Sequence, residues 1–339
     1  MKILVLGNGG REHSLIWAIA QNPKCQQIFC APGNAGTNEI ATAAYFDILD
    51  KNQVVNFCLA NSIELVIIGP EAPLTEGIGD ALRENGVLTF GPSKAASMLE
   101  ASKTFTKEIC KLKNIPTAES KTFDDLTKAL HYLVSCTFPL VIKADGLAAG
   151  KGVMIAENID AACQFVTQIF EGKFGKAGNQ ILIEEFLEGE EASFFVLTDG
   201  KSVLPIGSAQ DHKRLLDAEK GPNTGGMGAY SPSPLITKSL EEKILKKIIK
   251  PTLSIMREKK TPFEGILYAG LMIKNNEPKL IEYNVRFGDP ECQVLMRRLG
   301  AQILDAIMDC LEGRLTKSQI NWANDSAIAI VMASKGYPE

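Results

Sequence analysis

The chain has 339 residues, of which 45% are hydrophobic and 22% charged, so two or three packed units of an ordinary globular protein are expected. A net charge of −4 argues against a phosphate-tracking surface and so against nucleic acid, while leaving room for a pocket that holds one nucleotide. The opening apolar run, Met1 to Leu6, is too short for a signal peptide, and no later run reaches membrane-spanning length, so no membrane partner and a cytoplasmic location are expected. The eight cysteines are scattered with no C-x-x-C pair, which implies reduced core residues and no disulfide framework. His13, His131 and His212 lie too far apart in sequence to suggest zinc.

The first hundred residues alternate short apolar runs with helical stretches. Ile3–Leu6, Gln27–Ala31, Leu65–Ile68 and Val87–Phe90 read as strands, and Ser14–Gln21, Asn52–Asn61 and Ile78–Glu84 as helices. That βαβ rhythm predicts an α/β, doubly wound parallel sheet. Each strand runs into a turn rich in glycine or proline: Gly7 to Gly10, Pro32 to Gly36, Gly69 to Pro73 and Gly91 to Ser93. Parallel strands gather all four turns at one edge, where open α/β sheets bind ligands.

A helix is expected from Lys94 to Leu112, stopping near Asn114-Ile115-Pro116. Beyond it the pattern changes to hairpins: Leu140–Ala144, Val153–Ala156, Ile181–Glu185, Ser193–Leu197 and Leu204–Gly207, with Asp199-Gly200 as a two-residue turn. An amphipathic helix over Leu240–Arg257 follows, then a hairpin of Gly265–Ile273 and Lys279–Asn284, then a helix after Pro290. Ala327 to Ala333 reads as a buried strand close to the last residue. A fully apolar strand wants neighbours on both sides, which suggests a carboxyl-terminal domain barely begun.

Two glycine loops invite familiar readings and refuse them. Gly7-Asn8-Gly9-Gly10-Arg11-Glu12 would need glycine at position 12 to be a dinucleotide fingerprint, and the acidic ribose-binding residue expected after the second strand is absent. What remains is a glycine turn opening a helix, suited to a single phosphate; a merely tight βα turn is the competing reading. Asp145 to Gly152 fails the phosphate-loop spacing at both ends and lies between two strands. It can instead fold over nucleotide phosphates as a glycine-rich cover, or be a plain surface hairpin.

From Val141-Ile142-Lys143-Ala144, that loop, and Ile183-Glu184-Glu185-Phe186-Leu187, the chain resembles the ATP-grasp family. Three longer motifs narrow the match: Ser208 to Arg214, Gly221 to Tyr230, and Ile281-Glu282-Tyr283-Asn284-Val285-Arg286-Phe287-Gly288-Asp289-Pro290-Glu291. With the opening Gly-Asn-Gly-Gly-Arg-Glu-His, they resemble the branch of ATP-grasp ligases that couples glycine to 5-phosphoribosylamine. The resemblance covers essentially the whole chain. It implies a doubly wound amino-terminal unit (1–100), an α+β ATP-grasp unit (101–320), and the truncated start of a carboxyl-terminal domain (321–339). It also implies ATP and Mg²⁺, or Mn²⁺, as cofactors, and a monomer or weak homo-oligomer.

The roles implied by the resemblance are specific. Lys103 and Lys143 would hold ATP phosphates under a cover that includes Gly150, Lys151 and Gly152. Glu184 and the backbone of Glu185 and Leu187 would recognise adenine, with Glu191 near the ribose. Glu282 and Asn284 alternate by two on a predicted strand, so both face one way, and their oxygens suit Mg²⁺. Many ATP-grasp relatives set a second metal-binding carboxylate on the preceding strand; the in-register position here is Gly270. Arg286 lies on the same face as the metal pair and, with Lys213 and Asp211, makes up the catalytic set. Phosphoribosylamine would sit between the units, its phosphate at Gly9, Gly10 and Arg11 and its ribose near Glu71. Gly225 and Gly226 would bring backbone close to a substrate without a side chain, and Gly288, Asp289 and Pro290 complete the substrate-binding set. His212, as a lone histidine, is left outside the catalytic set.

The cations have a physical reason. A glycine carboxylate and a γ-phosphate at 4 Å repel by roughly 4 kcal/mol at an effective dielectric near 20, and fixed positive charge offsets that. Three rivals stay open at this point: an ATP-grasp ligase for another acid or amine, a nicotinamide dehydrogenase, and a nucleotide sensor without turnover.

Overall fold

The computed structural model describes residues 1–147, 152–217 and 220–338. The first sheet is built from β1 (Lys2–Gly7), β2 (Gln27–Pro32), β3 (Thr42–Ala43), β4 (Leu65–Ile68) and β5 (Leu88–Phe90), in the order β3-β2-β1-β4-β5. All four pairings are parallel. Ile3, Leu4, Val5 and Leu6 are fully buried, as a parallel strand covered by helices on both faces requires. The doubly wound expectation is borne out, and β3, too short to carry a period, is the strand the pattern missed.

The helix expected over Lys94 to Leu112 is broken. It consists of a short turn, Met98–Ala101, and a longer helix, Lys103–Lys113. Ser102 sits between them in extended conformation, and its hydroxyl accepts the N–H of Phe105. A serine that caps the second helix must leave the first.

A four-stranded antiparallel sheet follows: β6 (Ser120–Phe123), β7 (Leu140–Ala144), β8 (Val153–Ala156) and β9 (Ile181–Glu185), ordered β6-β9-β7-β8. Its apolar side has a core of its own, from Phe123 to Ile183. The remaining strands are β10 (Glu190–Asp199), β11 (Val203–Asp211), β12 (Arg214–Leu216), β13 (Lys220–Asn223), β14 (Gly228–Ser231), β15 (Glu264–Lys274), β16 (Glu277–Asn284) and β17 (Ala327–Ile330). Six of them form a sheet ordered β16-β15-β10-β11-β14-β17, and β12 pairs with β13 alone. The six-stranded sheet shares both of its hydrophobic clusters with the parallel sheet: Leu4 and Val66 pack with Phe194 and Leu267, and Val5 and Ile67 with Phe195 and Ile266. The large sheet and the parallel sheet are therefore packed as one body, with the four-stranded sheet beside them.

Three sequence expectations need correction here. The Asp199-Gly200 turn is not a two-residue hairpin, because the last ladder pair is Thr198 with Val203. The Asp199 carboxylate accepts the N–H groups of Lys201 and Ser202 at 3.0 and 2.6 Å, a side-chain-closed turn that spans four residues. The helix after residue 237 runs from Lys238 to Glu258 but widens into a π turn at Leu245–Ile249. Pro251 lies just beyond and cannot donate its share of the ladder. The strand expected to be buried at Ala327 to Ala333 covers only Ala327–Ile330, pairs with β14 alone, and leaves Ile328 and Ile330 73% and 78% exposed.

The hairpin at Lys274 to Glu277 is as expected. Asn275 and Asn276 both have left-handed φ, 53° and 59°, the backbone a two-residue turn of the I′ type needs. Asn276→Val should lower the unfolding free energy by about 1–2 kcal/mol in a urea titration, because left-handed backbone costs an ordinary residue that much. Asn276→Gly should match or exceed the parent. A valine variant as stable as the parent contradicts this turn.

Candidate active site

Strand β16 organises the site by alternation. Tyr283, Val285 and Phe287 are buried, which turns Glu282, Asn284 and Arg286 to the opposite face, where each is half-buried. Glu282 pairs across to Gly270 on β15, and Gly270 to Ser193 on β10. The register expected from sequence holds, and glycine stands beside the carboxylate. A narrow cleft opens there, lined by Glu191, Ser193, Asp211, Lys213, Tyr268 and Glu282 among others.

Burial pushes the Glu282 carboxyl up, but Lys213, Lys143, Lys103 and Arg286 together outweigh it and hold the carboxyl below its ordinary range. These are the four cations that the sequence assigned to phosphate and transition-state charge. They arrive from β7, from the start of the helix Lys103–Lys113, and from the segments after β11 and β16. Their convergence on one carboxylate is the central feature of the site.

Lys143 is 4% exposed. Its ammonium lies 2.9 Å from Glu184 and donates to the carbonyl of Ile281 at 3.4 Å, which joins the four-stranded sheet to β16. Burial works against its charge, but Glu184 and Glu282 prevail and raise its pKa. Glu184, which the resemblance assigns to adenine recognition, is thus a partner of charged groups. Its carboxylate lies between two lysines, with Lys107 at 3.0 Å on the other side. Lys107 was missed by sequence reading, yet the signal existed: it follows Lys103 by four residues and so shares its helix face. Burial lowers the pKa of both Lys103 and Lys107.

Lys103 donates to the carbonyl of Gly146 at 3.1 Å, and the Asp145 carboxylate accepts the N–H of Thr104 and the hydroxyl of Ser102. The start of the glycine-rich loop is thus pinned to the helix that carries Lys103. Gly150 and Lys151 lie outside the described residues. Gly152 closes the loop by accepting the N–H of Ala144 at 2.8 Å. Glu185 is exposed, its side chain paired with Lys279 and its N–H donated to Glu119, so that N–H is already engaged. Leu187 is half-buried just beyond β9.

Lys213 lies 3.3 Å from Glu191 and 3.9 Å from Asp211. Burial is outweighed by Asp211 and Glu191, which raise the lysine's pKa. Burial pushes the Asp211 carboxyl up to about 6 even so, with Glu291 adding to the effect. Glu291 is buried and accepts the Tyr268 hydroxyl at 2.7 Å, and Tyr268 in turn meets Ser193 at 2.9 Å. Neither Glu291 nor these hydroxyls stood out in sequence.

Arg286 is clamped by two carboxylates, Glu71 at 3.1 Å and Glu100 at 2.7 Å. Glu71, expected at a ribose, is thus also the partner of the key arginine. Burial alone would raise its pKa, but Arg286 and Arg11 bring it down. Glu100 also accepts the N–H of Val285 at 2.8 Å and was missed, since nothing in a short helix marks a buried acid.

At the first glycine turn, the Gly9 N–H donates to Glu12 at 2.7 Å and the Arg11 N–H to Asp289 at 3.1 Å. Two of the N–H groups in the turn expected to meet a phosphate are thus donated to carboxylates of the chain. Gly9, Gly10, Arg11, Asp289 and Pro290 do come together, and a Cβ on Gly10 would press on Gln293 and Asp289. Gly288 is buried beside Glu291. Gly226 has φ +117°, and a Cβ there would meet Pro290 at 2.4 Å, so this glycine is required by packing. Gly225 beside it donates to the hydroxyl of Tyr337 at 3.1 Å.

Two oxygen donors on one strand face, with the carboxylate held ionised, fit a hard divalent cation that takes its other ligands from phosphate and water. Among the described residues, no cluster of three or more His, Cys, Asp or Glu is placed to hold a metal. Among the same residues, no helix is long and apolar enough to cross a membrane.

A family model described as the N domain of phosphoribosylglycinamide synthetase matches residues 1–100, and one for its ATP-grasp (A) domain matches residues 101–292. The chain is 51% identical over 338 residues to the phosphoribosylamine–glycine ligase of Rhizobium meliloti, covering 100% of this chain and 80% of that one. It is 50% identical to the chloroplastic enzyme of Arabidopsis thaliana over 99% of this chain and 67% of that one. Among solved structures, phosphoribosylamine–glycine ligase from Thermotoga maritima aligns with a TM-score of 0.85 at 29% identity, covering 100% of this chain and 82% of that one. A biotin carboxylase domain from Hydrogenobacter thermophilus, solved with MgADP, aligns over 96% of this chain and 73% of that one with a TM-score of 0.73 at 20% identity, and so shares the fold.

The Asp211 shift has a measurable consequence. A carboxyl whose folded pKa is raised stabilises the fold below its unfolded value near 3.8, and that stability is lost as pH rises through about 6. Asp211→Asn should remove the loss, so the variant should gain about 1–3 kcal/mol on the parent between pH 4 and 7 in denaturant titrations. A constant gap across that range contradicts the shift.

Proposed function

Because the chain belongs to the phosphoribosylamine–glycine ligase family, we propose that the cations gathered around Glu282 are where it carries out that family's reaction. The enzyme is a carbon–nitrogen ligase of purine biosynthesis. It joins glycine to 5-phosphoribosylamine at the expense of ATP, giving glycinamide ribonucleotide, ADP and phosphate. The observation that carries the site assignment is geometric: Lys213, Asp211, Glu191 and Glu282 line one cleft, the Lys143 ammonium reaches the Ile281 carbonyl beside Glu282, and Arg286 is held by Glu71 and Glu100 two residues beyond Asn284.

The chemistry has two steps. A glycine carboxylate oxygen attacks the γ-phosphorus of ATP, the bond to the ADP oxygen breaks, and glycyl phosphate forms. The phosphoribosylamine nitrogen then attacks the acyl carbon, the carbon–oxygen bond breaks, and inorganic phosphate leaves with that oxygen. Both reactants of the first step are anionic, so the protein must supply positive charge that is already in position. Lys103 and Lys143 would screen the nucleotide phosphates. Arg286, held rigid by Glu71 and Glu100, would face the carboxylate and the transferring phosphoryl group.

Lys213 would follow the charge onto the acyl phosphate, with Asp211 and Glu191 fixing its position. Glu282 and Asn284 would hold Mg²⁺ or Mn²⁺, which when bound neutralises part of the phosphate charge. The Glu184 carboxylate would set the spacing of Lys143 and Lys107, leaving adenine recognition to the backbone at Glu185 and Leu187. The parallel-sheet unit (1–100) would present phosphoribosylamine through Gly9, Gly10 and Arg11, and the ATP-grasp unit (101–320) the nucleotide and glycine. Gly225, Gly288, Asp289 and Pro290 would close the substrate site from the other side.

Arg286→Ala should lower glycine-dependent ADP formation by about 10²–10³-fold, while calorimetry still detects ATP binding. Near-normal turnover in that variant would refute the assignment.

A further inference from the structure

Glu12 is the residue that breaks the dinucleotide fingerprint, and the reaction as described gives it no role. It is also one of the most thoroughly enclosed charges in the protein, at 1% exposure. Its Oε2 accepts the Gly9 N–H at 2.7 Å, and its Oε1 accepts the Arg11 Nε–H at 2.6 Å. The ends of the two central strands close around it. A Cβ on Gly69 would come 2.1 Å from Oε1, and one on Gly7 would come 2.5 Å from the carboxyl carbon. Three glycines at the ligand-binding edge of the sheet (Gly7, Gly9 and Gly69) are thus shaped around one carboxylate.

What Glu12 holds reaches further. Arg11 is also buried, and its terminal nitrogen donates to the carbonyl of Phe287 at 3.1 Å. Its backbone N–H meets Asp289, whose other oxygen accepts from Gln293 at 2.6 Å. Phe287 follows Arg286, and Arg286 is bound to Glu71. A continuous polar network therefore runs from the Gly9 amide through Glu12 and Arg11 to the segment that carries the activating arginine. It crosses from the parallel sheet to the end of β16.

We propose that Glu12 is a positioning residue for the amine half of the reaction: it fixes the Gly9–Gly10 turn and aims the Arg11 guanidinium, so that phosphoribosylamine is held in register with the acyl phosphate near Arg286. This rests on the reading that phosphoribosylamine meets the chain at Gly9 to Arg11. A helix-capping role alone accounts for the bond to Gly9. It does not account for the buried pair with Arg11 or for the glycines that clear space for it. Both partners of Glu12 are donors, so glutamine can satisfy one and must turn its own N–H₂ toward the other.

The test is steady-state kinetics on Glu12→Gln, Arg11→Met and the double variant, with phosphoribosylamine generated in the assay. Glu12→Gln should raise the KM for phosphoribosylamine at least tenfold, with the KM values for ATP and glycine within twofold of the parent. The double variant should resemble Arg11→Met alone, because a residue acting through Arg11 has nothing left to position. Equal rises in all three KM values, or effects that multiply in the double variant, would overturn the proposal and leave a structural cap. If Arg11→Met itself leaves the phosphoribosylamine KM unchanged, the substrate-site reading fails instead. Should Glu12→Gln not fold, Arg11→Lys reads the same contact, since it keeps the charge and removes Nε; an unchanged phosphoribosylamine KM there also overturns the proposal.

Discussion

Positive charges brought together inside a cleft repel one another, and this protein brings four of them to one place. Lys103, Lys143, Lys213 and Arg286 all act on Glu282, and each is in turn steadied by groups of its own. Glu184 lies against Lys143, Asp211 and Glu191 against Lys213, Glu71 and Glu100 against Arg286, and the Gly146 carbonyl accepts from Lys103. The enclosed pairs among these, Lys143 with Glu184 and Arg286 with Glu100, contribute little net stability, but losing one partner is costly. The arrangement therefore makes sense as a device for holding charge ready and not as a source of fold stability. Phosphoryl transfer between two anions is the chemistry that such a device serves.

The fold supplies the convergence. The six-stranded sheet and the parallel sheet share hydrophobic clusters, so the end of β16 and the glycine turns of the first unit are held at fixed distance. The four-stranded sheet packs around a core of its own and meets the large sheet through polar contacts such as Lys143 to Ile281. Lys143 thus comes from a separately packed element, while Lys103, on a helix that packs into the main cluster, comes with Arg11 and Arg286 from the body formed by the other two sheets.

Much of this was legible in the sequence because it was periodic. Alternation on the strand Lys279–Asn284 put Glu282 and Asn284 on one face, while Gly270 stands opposite Glu282 because a register shift between Gly270 and Leu271 moves the ladder one residue from the register of the Asn275-Asn276 turn. The parallel sheet followed from its apolar runs. What was not legible depended on partners distant in sequence. That Glu184 lies between Lys143 and Lys107 could not be read from its own motif. Glu71 and Glu100 become an arginine clamp only when three separate segments meet. The break at Ser102 came from a side chain that serves two neighbours at once, Phe105 and Asp145, and periodicity cannot register that.

The central claim is that glycine is activated at its own carboxylate, within this group of cations, before any amide bond forms. Glycine carrying ¹⁸O in its carboxylate tests it directly: the protein is supplied with ATP, Mg²⁺ and phosphoribosylamine, and the released phosphate is examined by mass spectrometry. One ¹⁸O per phosphate, appearing together with glycinamide ribonucleotide, is the predicted result. Unlabelled phosphate alongside the same product would mean that no glycyl phosphate had formed, and the account would be wrong.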